Sequence, residues 1–156
     1  MRKRNTGKAM QLRKRLVKLT LDWEKYFGVA PRVTSAISEL DAARLVGMGD
    51  RAYCEDGRCR TAVTKGVDFV FKGLKYQVTA NRPSGKKGSR VILVGNKTEK
   101  KGPFGWDRLI WILYDRHYVI EDSREFTAHR YRRLFGASTK LRTADDMRKG
   151  RPVSRP

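Results

Sequence analysis

The run Arg108-Leu109-Ile110-Trp111-Ile112-Leu113-Tyr114 is apolar at both odd and even positions. Successive side chains of a strand point to opposite faces, so a strand of this composition needs cover on both sides. It predicts a central strand in a sheet sandwiched between helices, and the rest of the chain supplies those layers. Val67, Phe69 and Phe71, then Gly73, then Leu74, Tyr76, Val78 and Ala80 read as a hairpin. Further strands are expected at 90–94 and 118–120. Leu12, Leu16, Leu19, Trp23 and Tyr26 or Phe27 recur at spacings of three and four, predicting a helix that buries this stripe and exposes Arg13, Lys14, Arg15 and Lys18. A second helix is expected from Thr34 or Ser35 to about Val46, with Ile37, Leu40 and Ala43 inward. Residues 50–66 read as a polar, turn-rich connection. Thr127 is placed to cap a helix that carries Tyr131, Leu134 and Phe135 inward and Arg130, Arg132 and Arg133 outward. A short helix is expected at 143–149. The fold class is therefore α/β (α+β), a mixed β-sheet flanked by helices. The expected organisation is a basic flexible arm at 1–9, one domain at 10–139 and a basic tail at 140–156, with no internal repeat.

Charge bounds the partner. Lys and Arg number 36 against 16 Asp and Glu, a formal net charge of +20. A folded domain tolerates such self-repulsion chiefly when its partner is a polyanion. Nucleic acid is the leading expectation; an acidic protein or an anionic lipid surface is the competing class. The chain carries no long apolar span and no apolar segment behind its basic start, which predicts a cytoplasmic protein with no membrane partner. Cys54 and Cys59 are spaced C-x4-C without a second pair, a poor zinc signature. Free thiols are expected, with a local disulfide across Glu55-Asp56-Gly57 as the alternative. His117 and His129 read as surface residues.

Two features point to phosphate chemistry. Gln77 and Thr79 share one face of their strand, opposite Tyr76 and Val78, and Asp68 sits on the partner strand. An acid on one strand followed by acid-x-lysine on the next is a common way to hold Mg²⁺ against a scissile phosphate. Asp68 and Gln77 are accordingly the candidate metal ligands. Thr79 stands at the lysine position, where it supplies no cation, and Lys75, two residues back on the same face, lies about 6–7 Å along the strand as a substitute. Lys72 and Lys86 are looser ones. The second feature is the loop Asn81-Arg82-Pro83-Ser84-Gly85-Lys86-Lys87-Gly88-Ser89-Arg90. Its glycines allow close backbone approach, and its hydroxyls and cations suit phosphate oxygens. Lys97 and Lys100 repeat the theme. Arg82, Lys86, Lys87, Arg90, Arg13, Lys14, Lys97 and Lys100 are the candidate nucleic-acid contacts.

Gly66-Val67-Asp68, the stretch from Tyr76 to Lys86, and the run from Trp106 to Asp115 resemble the restriction-endonuclease-like, PD-(D/E)xK nuclease superfamily. The resemblance covers roughly residues 34–135, with Gln-x-Thr where the pattern has Glu-x-Lys. It implies a restriction-endonuclease-like fold and a Mg²⁺-dependent endonuclease whose site is degenerate or inactive. It also implies an acid from the preceding helix, for which Glu39 is the candidate, and double-stranded DNA as partner with a possible homodimer. The alternative is a non-enzymatic module that binds DNA or RNA and uses the fold as scaffold.

Overall fold

The doubly apolar run is the middle strand of the sheet that organises the molecule. A computed structural model describes residues 7–27, 33–59, 66–83, 93–94, 104–136 and 141–153. In order these form α1 (Lys8–Phe27), α2 (Thr34–Leu45), α3 (Asp50–Cys59), β1 (Phe69–Phe71), β2 (Leu74–Asn81) and β3 (Leu93–Val94). They continue with β4 (Arg108–Tyr114), β5 (Ile120–Thr127), α4 (Ala128–Phe135), β6 (Leu141–Arg142), α5 (Thr143–Met147) and β7 (Arg151–Pro152). Among the described residues, one sheet has the order β1-β2-β4-β5-β7, and β3 pairs with β6 separately. β2 and β4 run parallel; the other neighbours are antiparallel, so the sheet is mixed.

β4 is covered on both faces, as its composition requires. Ile110, Ile112 and Tyr114 join Tyr76 of β2 and Ile37, Ala42, Ala43 and Leu45 of α2 in one core, against which Leu16, Val17 and Leu21 of α1 pack. Leu109 and Trp111 point the other way, into a second core with Phe126 of β5, Tyr131 and Phe135 of α4 and Met147 of α5. The β1–β2 hairpin turns through Lys72 and Gly73, both at positive φ (50° and 76°), the geometry that matches strand twist in a two-residue loop. Thr127 caps α4, its hydroxyl accepting the N–H of Arg130 at 3.1 Å.

Four expectations are corrected. Residues 50–59 form a helix: polar composition and Gly57 disguise an amphipathic turn pattern that seats Tyr53 edge-on to Phe69 (6.4 Å) and lets Asp56 accept the N–H of Val70 (3.3 Å). On this helix Cys54 is an exposed free thiol, as expected. The strand expected at Tyr118 begins at Ile120, because Asp115 Oδ1 accepts the N–H groups of His117 (2.7 Å) and Val119 (2.8 Å) and drives Tyr118 to φ +62°. Of the expected tail, the described residues 141–153 are built into the body: Met147 is buried and β7 pairs with β5. Finally, α1 is rotated from the orientation its apolar stripe predicts. Leu12, Leu19, Trp23 and Tyr26 are exposed, while Thr20 is buried and Arg13 and Glu24 are half-buried.

Candidate nucleic-acid interface and the Asp68 cluster

The hairpin brings Asp68 and Gln77 together. The Asp68 N–H donates to the Tyr76 carbonyl at 2.7 Å, which places the Asp68 side chain beside the start of β2. Its Oδ2 then accepts the backbone N–H of Val78 at 2.6 Å and the Gln77 amide Nε2 at 2.8 Å. Facing a carboxylate, the amide must present its nitrogen, so the Gln77 oxygen is turned away, 3.9 Å from where a side chain on Gly66 would begin. Thr79, half-buried, follows on the same face, paired in register with Trp111. Asn81 completes this face, accepting the Trp111 indole N–H at 2.7 Å, a link that the sequence reading missed. Lys75 is exposed at the other end of the face, its backbone N–H and C=O tied to the carboxylate and N–H of Asp107, each at 2.8 Å.

Glu39 belongs to a different layer. α2 packs on the face of β2 that carries Tyr76, Val78 and Ala80, and strand parity sends Gln77 and Thr79 to the opposite one. The local donor set is therefore a carboxylate oxygen already receiving two N–H groups, an amide presenting nitrogen, and a threonine. Mg²⁺ demands several oxygen ligands in near-octahedral array. Among the described residues no three of His, Cys, Asp and Glu form a group able to hold a metal. These described residues do not by themselves supply the oxygen ligands a divalent cation needs, and Asp68 ties the hairpin together through Val78 and Gln77.

Two of the arginines expected to meet phosphate are used internally. Arg13 donates through Nε (2.7 Å) and Nη2 (2.6 Å) to both carboxylate oxygens of Asp41, and through Nη2 to the Tyr118 carbonyl (3.0 Å). The side chains are 14% and 4% exposed. Burial works against the guanidinium charge, but the Asp41 carboxylate outweighs it and raises the Arg13 pKa. Tyr114 donates its hydroxyl to the same carboxylate at 2.7 Å, and burial, then the Asp41 charge, push its pKa up. Arg82 is 5% exposed; it pairs with Glu24 of α1 at 2.7 Å, donates to the Arg116 carbonyl, and lies 4.4 Å from the centre of the Tyr118 ring. Asp41 carried a readable signal: it falls four residues after Ile37, on the apolar side of α2, where a charge needs a buried partner.

The cations that do face solvent include Lys14, Arg15, Lys18 and Lys25 on α1, Arg130, Arg132 and Arg133 on α4, and Arg148 and Lys149 after α5. α4 sends Tyr131 and Phe135 into the core, so its arginines are held outward on a packed helix. Lys86, Lys87, Arg90, Lys97 and Lys100 lie outside the described residues. No helix among the described residues is long and apolar enough to cross a membrane. Compared with protein-family models and with curated proteins, the chain matches none.

Proposed function

We propose that this chain is a DNA-binding protein that uses a nuclease-like scaffold with a disabled metal site and grips the phosphate backbone by charge. The observation that carries the reading is the net charge of +20, with Lys14, Arg15, Lys18, Lys25, Arg130, Arg132 and Arg133 exposed among the described residues. Such an excess favours phosphate contacts, which hold a duplex without reading its sequence. The exposed α4 arginines and Lys14 are the candidate contacts among the described residues, and Lys86, Lys87, Arg90, Lys97 and Lys100 would extend them. Binding is favoured over cleavage because Asp68 Oδ2 is engaged by Val78 and Gln77, and Thr79 brings no cation.

The test combines binding and cleavage. Anisotropy titrations with duplex DNA should weaken steeply with salt, log K falling by about 0.9 per phosphate neutralised for each unit of log salt. Arg132→Glu with Arg133→Glu should lower both affinity and slope. Asp68→Ala should leave affinity unchanged while costing about 1–3 kcal/mol of stability, since the Val78 and Gln77 donors lose their acceptor. DNA affinity no tighter than that for heparin would move the assignment to an acidic protein or lipid partner. In parallel, the chain and its Thr79→Lys variant are assayed with Mg²⁺ on supercoiled, linear and branched DNA. Cleavage by the variant alone supports a disabled nuclease; cleavage by the unaltered chain that disappears in Asp68→Ala refutes the disabled site.

A further inference from the structure

α1 keeps on the surface the apolar stripe that its sequence builds for burial. Leu12 is 54% exposed, Leu19 63%, Trp23 46% and Tyr26 83%. The helix is not loosely placed: Arg13 and Glu24, on its neighbouring side, pair with Asp41 and Arg82 of the body. Leu12, Leu19 and Tyr26 recur every seven residues, with Trp23 at an alternate position and Leu16, which packs partly against the body, at the inner border of what is the spacing of a coiled-coil seam.

We propose that this seam is a dimer interface, occupied by α1 of a second copy of the chain running antiparallel. Aligned over the whole of Lys8–Phe27, the antiparallel register sets Leu19 against Leu16, Trp23 against Leu12 and Tyr26 against Ala9, so that each ring meets a smaller side chain. The same register puts Arg15 across from Asp22 of the second copy, twice by the two-fold symmetry. Asp22 already holds Lys18 at 2.7 Å, and its exposed carboxylate has room to receive a second cation. A parallel register instead brings Lys8 beside Arg13 and gives Arg15 no acidic neighbour. Charge complementarity therefore selects the antiparallel pair. Because each copy carries +20, the dimer gains from screening, whereas attachment to DNA or an anionic membrane is weakened by salt.

Sedimentation equilibrium of the full chain in high salt tests this. A concentration-dependent dimer is expected. Leu19→Glu should weaken it on the order of a thousandfold, because each dimer loses two buried leucines, while leaving the thermal melt of the monomer unchanged. Arg15→Asp should weaken association and the double change Arg15→Asp with Asp22→Arg should restore it. A chain that stays monomeric at all concentrations, or a dimer indifferent to Leu19→Glu, overturns the proposal. So does a monomer that binds vesicles of equimolar phosphatidylserine and phosphatidylcholine through Leu19, which would assign the stripe to a lipid surface.

Discussion

Replacing Arg13 by alanine separates an internal anchor from a phosphate contact. In the folded chain the guanidinium makes two bonds to Asp41 and one to the Tyr118 carbonyl. Its removal leaves the Asp41 carboxylate buried with the Tyr114 hydroxyl as its remaining described donor. Removing one partner of a buried ion pair costs about 3–5 kcal/mol. Arg13 retains some contact with water, which screens the pair, so the low end, about 3 kcal/mol, is expected. For a chain of this size that corresponds to a fall in Tm of about 6–12 °C. The isosteric double change Arg13→Met with Asp41→Leu removes both charges and should recover most of the loss. Thermal denaturation followed by circular dichroism measures the first effect. DNA anisotropy well below the transition measures the second and should show an unchanged affinity for Arg13→Ala. An unchanged Tm together with weakened DNA binding would refute the anchor and return Arg13 to the phosphate surface.

Gly150 is buried, and a methyl group there would meet the Phe126 ring at 2.7 Å and the Arg124 Cβ at 2.8 Å. Gly150→Ala should cost about 1–3 kcal/mol in chemical denaturation; an unchanged midpoint would mean that Gly150 is not packed against Phe126. Tyr114 is buried and its pKa is raised, so the folded state keeps the proton that the unfolded state releases above about pH 10. Stability from this group is complete below that pH and should fall by about 1.4 kcal/mol per further unit; urea melts at rising alkaline pH, with Tyr114→Phe as control, check the slope. Thr127→Ala removes the cap of α4 and should destabilise the fold by about 1 kcal/mol, read from the same melts.

Where local pattern decides, the sequence was legible. The doubly apolar run 108–114 located the central strand, Gly73 located the hairpin turn, and Thr127 with the Tyr131–Phe135 spacing located α4. Asp68, expected on the strand, lies just ahead of β1 and still bonds Gln77 of β2. Less legible were features that depend on what lies across the molecule. The amide of Gln77 faces Asp68 with nitrogen because of the carboxylate, and Glu39 is separated from both by the sheet. α3 hides behind polar composition because its support comes from Phe69 and Val70, some way along the chain.

α1 shows the division most clearly. Its sequence alone determined that it is a helix with an apolar stripe and a strongly basic remainder, since helical periodicity is a local property. Which side turns inward was decided by tertiary pairing. Asp41 on α2 and Arg82 at the end of β2 claim Arg13 and Glu24, and buried charges must be matched before apolar area is counted. The net charge of +20 belongs to the sequence; that Arg13 and Arg82 are turned inward was settled by those partners.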